Sequence, residues 1–259
     1  MTNHQFTGEF PWTLVVLKKE MFGVKQSSIY LASGSLIHPS VALTSAHSVH
    51  GKTANKLQIR AGDWNLNTTN EGYPHEELDV ESIVIHEQFN IANMRNDVAL
   101  LFLQGAIDKK SHINIICLPP QGYIFEDVRC FASGWGKDKI EEGGKYQVEM
   151  KKNELAIVPN DICQTKMRQT RLGSRYRLHD SFVCAGGEGV DLCIGSAGSP
   201  LVCPIEGSNG HYYQAGISSW GIGCGSIGVP GVYGNVSHFK EWIDQNMISK
   251  GFNTESYTY

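Results

Sequence analysis

The chain has 259 residues, of which 41% are hydrophobic and 19% charged, enough to bury a full core in one globular unit spanning residues 1–259. A net charge of −4 and a pI near 6.2 supply no global basic field, so no nucleic-acid partner is expected and any polyanion site has to be a local patch. No apolar run reaches the 18 or so residues a membrane span needs, and the opening MTNHQFTGEF lacks the basic and apolar blocks of a secretory leader.

In chain order, short β-rich runs alternate with turn residues: WTLVVLKK, SGSLIHPSVALTSA, LDVESIVIH, DVALLFL, CFASGWG, YYQAGISSWG and GVYGNV. This spacing predicts an all-β barrel or sandwich architecture, with the 28 glycines serving its turns. One helix is expected at the C-terminal end, where Val236, Phe239, Trp242, Ile243 and Met247 share a face and Ser237 offers an N-cap. The final FNTESYTY is polar and is expected to be loose. Seven cysteines and the sequons at Asn67 and Asn235 suit an oxidising, secreted setting, which leads us to expect that Met1 opens a piece of a longer chain whose leader lies upstream.

Three separated segments belong together: LTSAHSV with His47, NDVALL with Asp97, and GSAGSPL with Ala197. They resemble, in order, the segments TAAHC, NDIALL and GDSGGPL that carry the histidine, aspartate and serine of the trypsin and chymotrypsin family. Further agreement lies in SGWG at 133–136, SSWGIGCG at 218–225 and GVPGVY at 228–233, so the resemblance runs from GEFPW to the terminal helix. It implies two packed antiparallel six-stranded β-barrels followed by a C-terminal α-helix, with a cleft between the barrels. It also implies a degenerate triad of His47, Asp97 and Ala197. A serine hydroxyl attacks a carbonyl once histidine takes its proton and aspartate fixes the imidazole; a methyl group cannot attack at all. Loss of that serine from a working triad costs about a million-fold in turnover, on the order of 8 kcal/mol.

The neighbours of Ala197 depart from the family as well. Ser196 stands where an aspartate normally receives the new amino terminus after activation, and Ser199 stands for a glycine. No Ile-Val-Gly-Gly start occurs, so the backbone N–H groups of Gly195 and Ala197 are expected to be a vestigial oxyanion hole without its usual latch. The resemblance also pairs Cys130 with Cys203, Cys163 with Cys184, and Cys193 with Cys224, each bridge contributing about 3 to 4 kcal/mol in the loop-entropy view. The bridge that usually staples the histidine's loop has lost both ends, to Ala32 and Ser48. Cys117 is left over: it is either a buried free thiol or the tether for an N-terminal regulatory domain absent from this chain.

The segments GEFPW, AGDWNLNTTNEGYPHEELDVESIVIHEQFN, RNDVALLFL, CFASGWGKDK, QTRLGSRYRLHDSFVCAGGEG and SPLVCPI are similar to the clip-domain serine protease homologs of arthropod blood, of the prophenoloxidase-activating-factor type. That branch keeps the histidine and aspartate and carries glycine for the nucleophile; here the residue is alanine and the latch aspartate is also gone. The resemblance implies an inactive, secreted cofactor whose partners are prophenoloxidase, its activating protease and, through Cys117, a clip domain of its own.

Other sites stay open at this level. Asp191, Gly221 and Gly231 match a pocket for basic side chains, which either binds a peptide without cutting it or is unused inheritance. No cofactor is required; Asp63, Glu71, Glu76 and Glu77 lie near the family's calcium loop, with Asp63 and Glu77 the candidate ligands, against the alternative of a solvated acidic loop. The segment KMRQTRLGSRYRLH, with Arg171, Arg175 and Arg177, is a candidate patch for an acidic partner or polysaccharide, a cleavage-prone loop, or a solvated face. Three functions follow: a dead regulator of an extracellular protease cascade, a hydrolase using Ser196 or Ser199, or a binding module for adhesion or microbial surfaces.

Overall fold

The computed structural model describes residues 8–68, 73–136, 148–189, 197–223 and 226–259. The first barrel is built from β1 (Thr13–Phe22), β2 (Lys25–His38), β3 (Val41–Thr44), β4 (Leu57–Ala61), β5 (Glu76–Ile85) and β6 (Ala99–Leu103), closed in the order β1-β2-β3-β6-β5-β4. The second uses β7 (Arg129–Gly134), β8 (Lys151–Val158), β9 (Phe182–Ala185), β10 (Pro200–Pro204), β11 (Tyr212–Trp220) and β12 (Gly231–Asn235), closed as β10-β11-β12-β9-β8-β7. All pairings between these strands are antiparallel, as the expected architecture requires. Closure leaves no open sheet edge around either ring, and residues alternate between the barrel interior and its outside. In β4, for example, Leu57, Ile59 and Ala61 are buried while Gln58 and Arg60 reach the surface.

Each barrel has its own core, Leu14, Val16, Leu36, Ile59 and Leu101 in the first, Leu155, Ala185, Leu201 and Ala215 in the second. A third cluster joins them. Phe10, Trp12, Ile37 and Leu100 from the first half meet Val202 and Ile217 from the second, and the C-terminal helix α3 (Val236–Ser249) covers this seam with Val236, Phe239, Ile243 and Met247. Polar cross-ties are also satisfied: Thr13 Oγ1 lies 2.9 Å from Ser133 Oγ, and Ser35 Oγ donates to Gln214 Oε1 at 2.6 Å. Among the described residues no helix is long and apolar enough to cross a membrane.

Two local expectations are corrected. The residue at the N-cap of α3 is Asn235, and Ser237 lies inside the first turn, where its hydroxyl donates to Asn235 Oδ1 at 2.9 Å. Val236 and Ser237 are buried and Asn235 is half-buried, so this sequon lies at a packed helix start. The C-terminal tail is not loose. Tyr257 is fully buried in the seam cluster, its hydroxyl donates to Asp244 Oδ1 at 2.8 Å, and its carbonyl accepts from Leu118 N at 2.9 Å. Phe252 stacks on Phe102 with ring centroids 5.6 Å apart. These two aromatic rings anchor the segment, the exposed Tyr259 adds a ring contact to His211 at 5.0 Å, and burial beside the Asp244 carboxylate pushes the Tyr257 phenol well up from its ordinary range.

Candidate functional site

His47 sits on α1 (Ala46–Val49), a single turn that follows β3, and Asp97 lies just ahead of β6. Because β3 and β6 are hydrogen-bonded neighbours, with Thr44 opposite Ala99, the ends of these two strands deliver both residues to one point. Asp97 accepts from the His47 backbone N at 2.8 Å through Oδ1 and from His47 Nδ1 at 2.6 Å through Oδ2. A carboxylate only accepts, so the proton of the neutral imidazole resides on Nδ1 and Nε2 is the basic nitrogen. The Asp97 side chain is wholly buried and that of His47 is 19% exposed, so the acid is sealed while the base keeps access to solvent. A third donor reaches the same carboxylate across the barrel junction: Ser219 Oγ, at 2.5 Å from Oδ2. This serine lies in the segment SSWGIGCG, where nothing local marks a role for it; its partner is 122 residues away in the chain, and only the fold brings them together.

Ala197 enters from the second half. Its carbonyl accepts from Ser33 N at 2.9 Å, and the next residue, Gly198, donates from N to Ser218 O at 2.9 Å. Gly198 has φ of +84°, and a Cβ there would lie 2.2 Å from both Ser33 O and Thr44 Oγ1. Glycine is therefore required twice over, by the backbone conformation and by the approach of the two halves. Thr44 and Ser45 lead directly into α1, so this contact seats Ala197 beside the histidine's turn. The arrangement offers a positioned base and no hydroxyl on Ala197 for it to activate.

The alternative nucleophiles fare differently. Ser199 is 1% exposed, and its Oγ has no hydrogen-bond partner among the described residues, His47 included. A hydroxyl buried away from the base is not activated by it. Ser196 lies outside the described residues, as do Gly195 and Asp191. Of the other pocket positions, Gly221 is exposed at the end of β11 and Gly231 opens β12.

Cys130 is bonded to Cys203, joining β7 to β10, and Cys163 to Cys184, joining α2 (Asn160–Arg168) to β9. Cys193 and Cys224 lie outside the described residues. Cys117 is a half-buried free thiol whose pKa burial raises. The two ends of the missing staple are accommodated without strain on polar groups: Ala32 is packed in the first core with Ala46 and Val49, and Ser48 Oγ lies 2.6 Å from Ser45 Oγ. The carboxylates considered for calcium are taken up by a side chain instead. Arg60 donates from Nη1 to Asp63 Oδ2 at 2.9 Å and from Nε to Glu77 Oε1 at 2.7 Å, while Glu76 accepts from Lys110 and from Asp108 N. A guanidinium between two carboxylates already supplies the positive charge, so this donor set lends calcium no support. Glu71 is outside the described residues, and among the described ones no group of three or more His, Cys, Asp or Glu is placed to hold a metal. Arg171, Arg175 and Arg177 are all exposed on the loop after α2.

The family model for trypsin matches residues 2–243. The chain belongs to the trypsin family. Within it, the chain is 47% identical over 259 residues to phenoloxidase-activating factor 2 of Galleria mellonella, covering 97% of this chain and 85% of that protein. It is 38% identical over 248 residues to an inactive CLIP domain-containing serine protease, A28, of Anopheles gambiae, covering 95% of this chain and 63% of that one. A similar protein of Aedes aegypti, inactive CLIP domain-containing serine protease A3, is 39% identical over 244 residues, 92% of this chain and 49% of its own length. The similarity to clip-domain serine protease homologs inferred from motifs is thus shown along nearly the whole chain, which spans only part of the mosquito proteins' length.

Proposed function

We propose that this trypsin-family protein is a secreted, non-catalytic regulator that promotes a protease cascade by protein contacts, the cascade being the one that activates phenoloxidase. The observation that carries the reading is Ala197, seated beside His47 by the contact of Gly198 with Thr44: the base and its orienting acid are kept and the nucleophile's position holds a methyl group. Support for the cascade comes from the relative named phenoloxidase-activating factor 2, and support for inactivity from the relatives named inactive. Asp191, Gly221 and Gly231 then serve at most to hold a basic side chain, and Cys193 with Cys224 completes the stapling of the second barrel. Cys117 is the tether to an upstream regulatory domain, its half-burial suiting a thiol that reacts with one docked partner and not with solutes at large.

The test is phenoloxidase activity in a mixture of prophenoloxidase and its activating protease, with and without this protein and with a version carrying a clip domain. A rise with either version is the expected result; no rise with either refutes the cofactor role. A parallel measurement of hydrolysis of an arginine amide addresses inactivity alone. Both the protein and its Ala197→Ser variant are expected to show none, since Ser196 leaves the oxyanion hole without its latch. Turnover by the unmodified protein would overturn the reading.

A further inference from the structure

We infer that the face formed by Arg95, Arg171, Arg175 and Arg177 is a docking surface for an acidic polypeptide segment of a partner protein. All four guanidinium-bearing residues are exposed, and none has a carboxylate within ion-pair distance among the described residues. Elsewhere the half-buried Arg60 holds two carboxylates, and Arg129, exposed like the four, holds Glu154 and Glu188. With no ion pair to neutralise them, and Asp180 beside His179 the carboxylate that shares their surroundings, these arginines favour an anionic ligand.

The patch is built, not draped. Along residues 175–178 the chain alternates, Arg175 and Arg177 exposed, Tyr176 and Leu178 turned into the cluster around Cys163, Met167 and Phe182. Arg168 Nε donates to Tyr176 O at 2.9 Å, Leu178 N to Gln164 Oε1 at 3.1 Å, and the bond from Cys163 to Cys184 fixes α2 beneath the loop. Arg95 arrives from the other barrel. Its neighbour Met94 packs on the same cluster, Asn96 N donates to Ser181 Oγ at 3.2 Å, and Arg95 is near enough to act electrostatically on both Tyr176 and His179. A rigid array of planar forks binds carboxylates with little ordering cost.

Apolar surface interleaved with the charges favours a polypeptide over a sulfated sugar chain. Leu172, Tyr176, Trp220 and Ile222 are only partly buried, and the Tyr176 ring stands edge-on to Trp220 at 6.3 Å. Trp220 follows Ser219, the residue that donates to Asp97, so this apolar floor adjoins the His47–Asp97 pair. An extended segment with alternating acidic and apolar residues can use the arginines and this floor together. The inference rests on the proposed regulatory role only in taking the partner to be a protein.

The experiment is fluorescence anisotropy of the protein with a labelled peptide of alternating Glu and Leu, and with heparin as the polysaccharide probe, in about 0.15 M salt, where screening confines each charge to ~8 Å. Peptide binding by the unmodified protein is expected, weakened about ten-fold or more by R171E, R175E and R177E together or by R95E with any one of them. Lys109→Glu makes the same charge change at an exposed site outside the patch and is expected to stay within about two-fold. Absence of peptide binding, equal binding by the triple variant, or an equal loss in Lys109→Glu overturns the inference; so does arginine-dependent binding of heparin without the peptide. Thermal midpoints check that the variants are folded. Patch-dependent peptide binding by a protein that fails to raise phenoloxidase activity would refute the cofactor role and leave the surface standing.

Discussion

In the first barrel Asp97 accepts three hydrogen bonds and holds His47 in one tautomer, yet among the described residues no disulfide crosses that barrel. In the second, two disulfides hold the scaffold, and the segment we read as the nucleophile's carries Ala197. One half keeps the chemical relay without its staple; the other keeps its staples without the reacting group. The His47–Asp97–Ser219 network therefore persists without a nucleophile. Its members satisfy one another's buried polar groups, and breaking such a network leaves a carboxylate desolvated and unpaired whether or not any reaction depends on it.

The point where the halves touch is the most sensitive to substitution. Gly198→Ala places a Cβ 2.2 Å from Ser33 O and Thr44 Oγ1 on a backbone with φ of +84°. Neither neighbour is the far end of a flexible side chain, so the strands must separate, and the expected loss exceeds about 4 kcal/mol. A denaturant midpoint within error of the unmodified protein's would show that the junction is plastic.

Next comes the stapling itself. Replacing Cys130 and Cys203 together by serine removes a fully buried cross-link from the second barrel and is expected to cost about 2 to 5 kcal/mol. The double change Ala32→Cys and Ser48→Cys asks the opposite question of the first barrel. Ala32 is wholly buried among well-packed neighbours, so added sulfur offsets part of the cross-link's gain, and a net stabilisation below about 2 kcal/mol is expected. A larger gain would mean that the first barrel had been loosened by the loss of its staple. Midpoints measured with and without reductant separate the bond from the substitution.

A smaller effect is expected at the seam that serves both halves. Tyr257→Phe keeps the ring in its cluster and deletes the hydroxyl that donates to Asp244, for an expected cost of about 1.5 to 3 kcal/mol, the range for a hydrogen bond to a charged group. No change in the midpoint would mean that Lys240, which holds the same carboxylate at 2.7 Å, satisfies it alone.

This residue also marks where legibility ends. The β-rich class and the helical face of α3 could be read locally, from alternation and helical spacing, and the two barrels and the order of His47, Asp97 and Ala197 could be read through the resemblance of short motifs to the trypsin family. Tyr257 could not, because FNTESYTY has the composition of a solvated tail and its burial depends on Leu118 and Asp244 arriving from elsewhere. Asp63 and Glu77 look like an oxygen-ligand loop in the sequence, because the pairing that gives them Arg60, three residues before Asp63 and on the strand beside Glu77, exists only once the strands are in register. Ser219 likewise acquires a role only through a contact across the junction.

The smallest expected effect is a dependence of stability on pH, to which the half-buried His38 contributes alongside one further histidine from each half, His86 and His179. His86, at the end of β5, packs between Phe239 and Trp242 of α3, and its Nδ1 accepts from Gln88 N at 3.1 Å. His179, in the loop ahead of β9, accepts through Nδ1 from Ser181 N at 3.2 Å. Burial lowers the pKa of both from the ordinary 6.5, with His238 adding to the effect at each, Arg95 adding to it at His179, and Glu87 and Asp180 opposing it. A histidine with a depressed folded pKa binds fewer protons folded than unfolded. Stability is therefore full above about pH 6.5 and falls as pH drops from there through the folded pKa values. Protonation at Nδ1 would also forfeit the backbone bond each ring accepts, so the sign is the same from geometry. Thermal midpoints taken from about pH 7.5 to about pH 5 should fall, and His86→Gln with His179→Gln should flatten that fall. A slope unchanged in the double variant would assign the acid sensitivity to other groups; a flattening from either single change alone would show which half of the molecule gives way first.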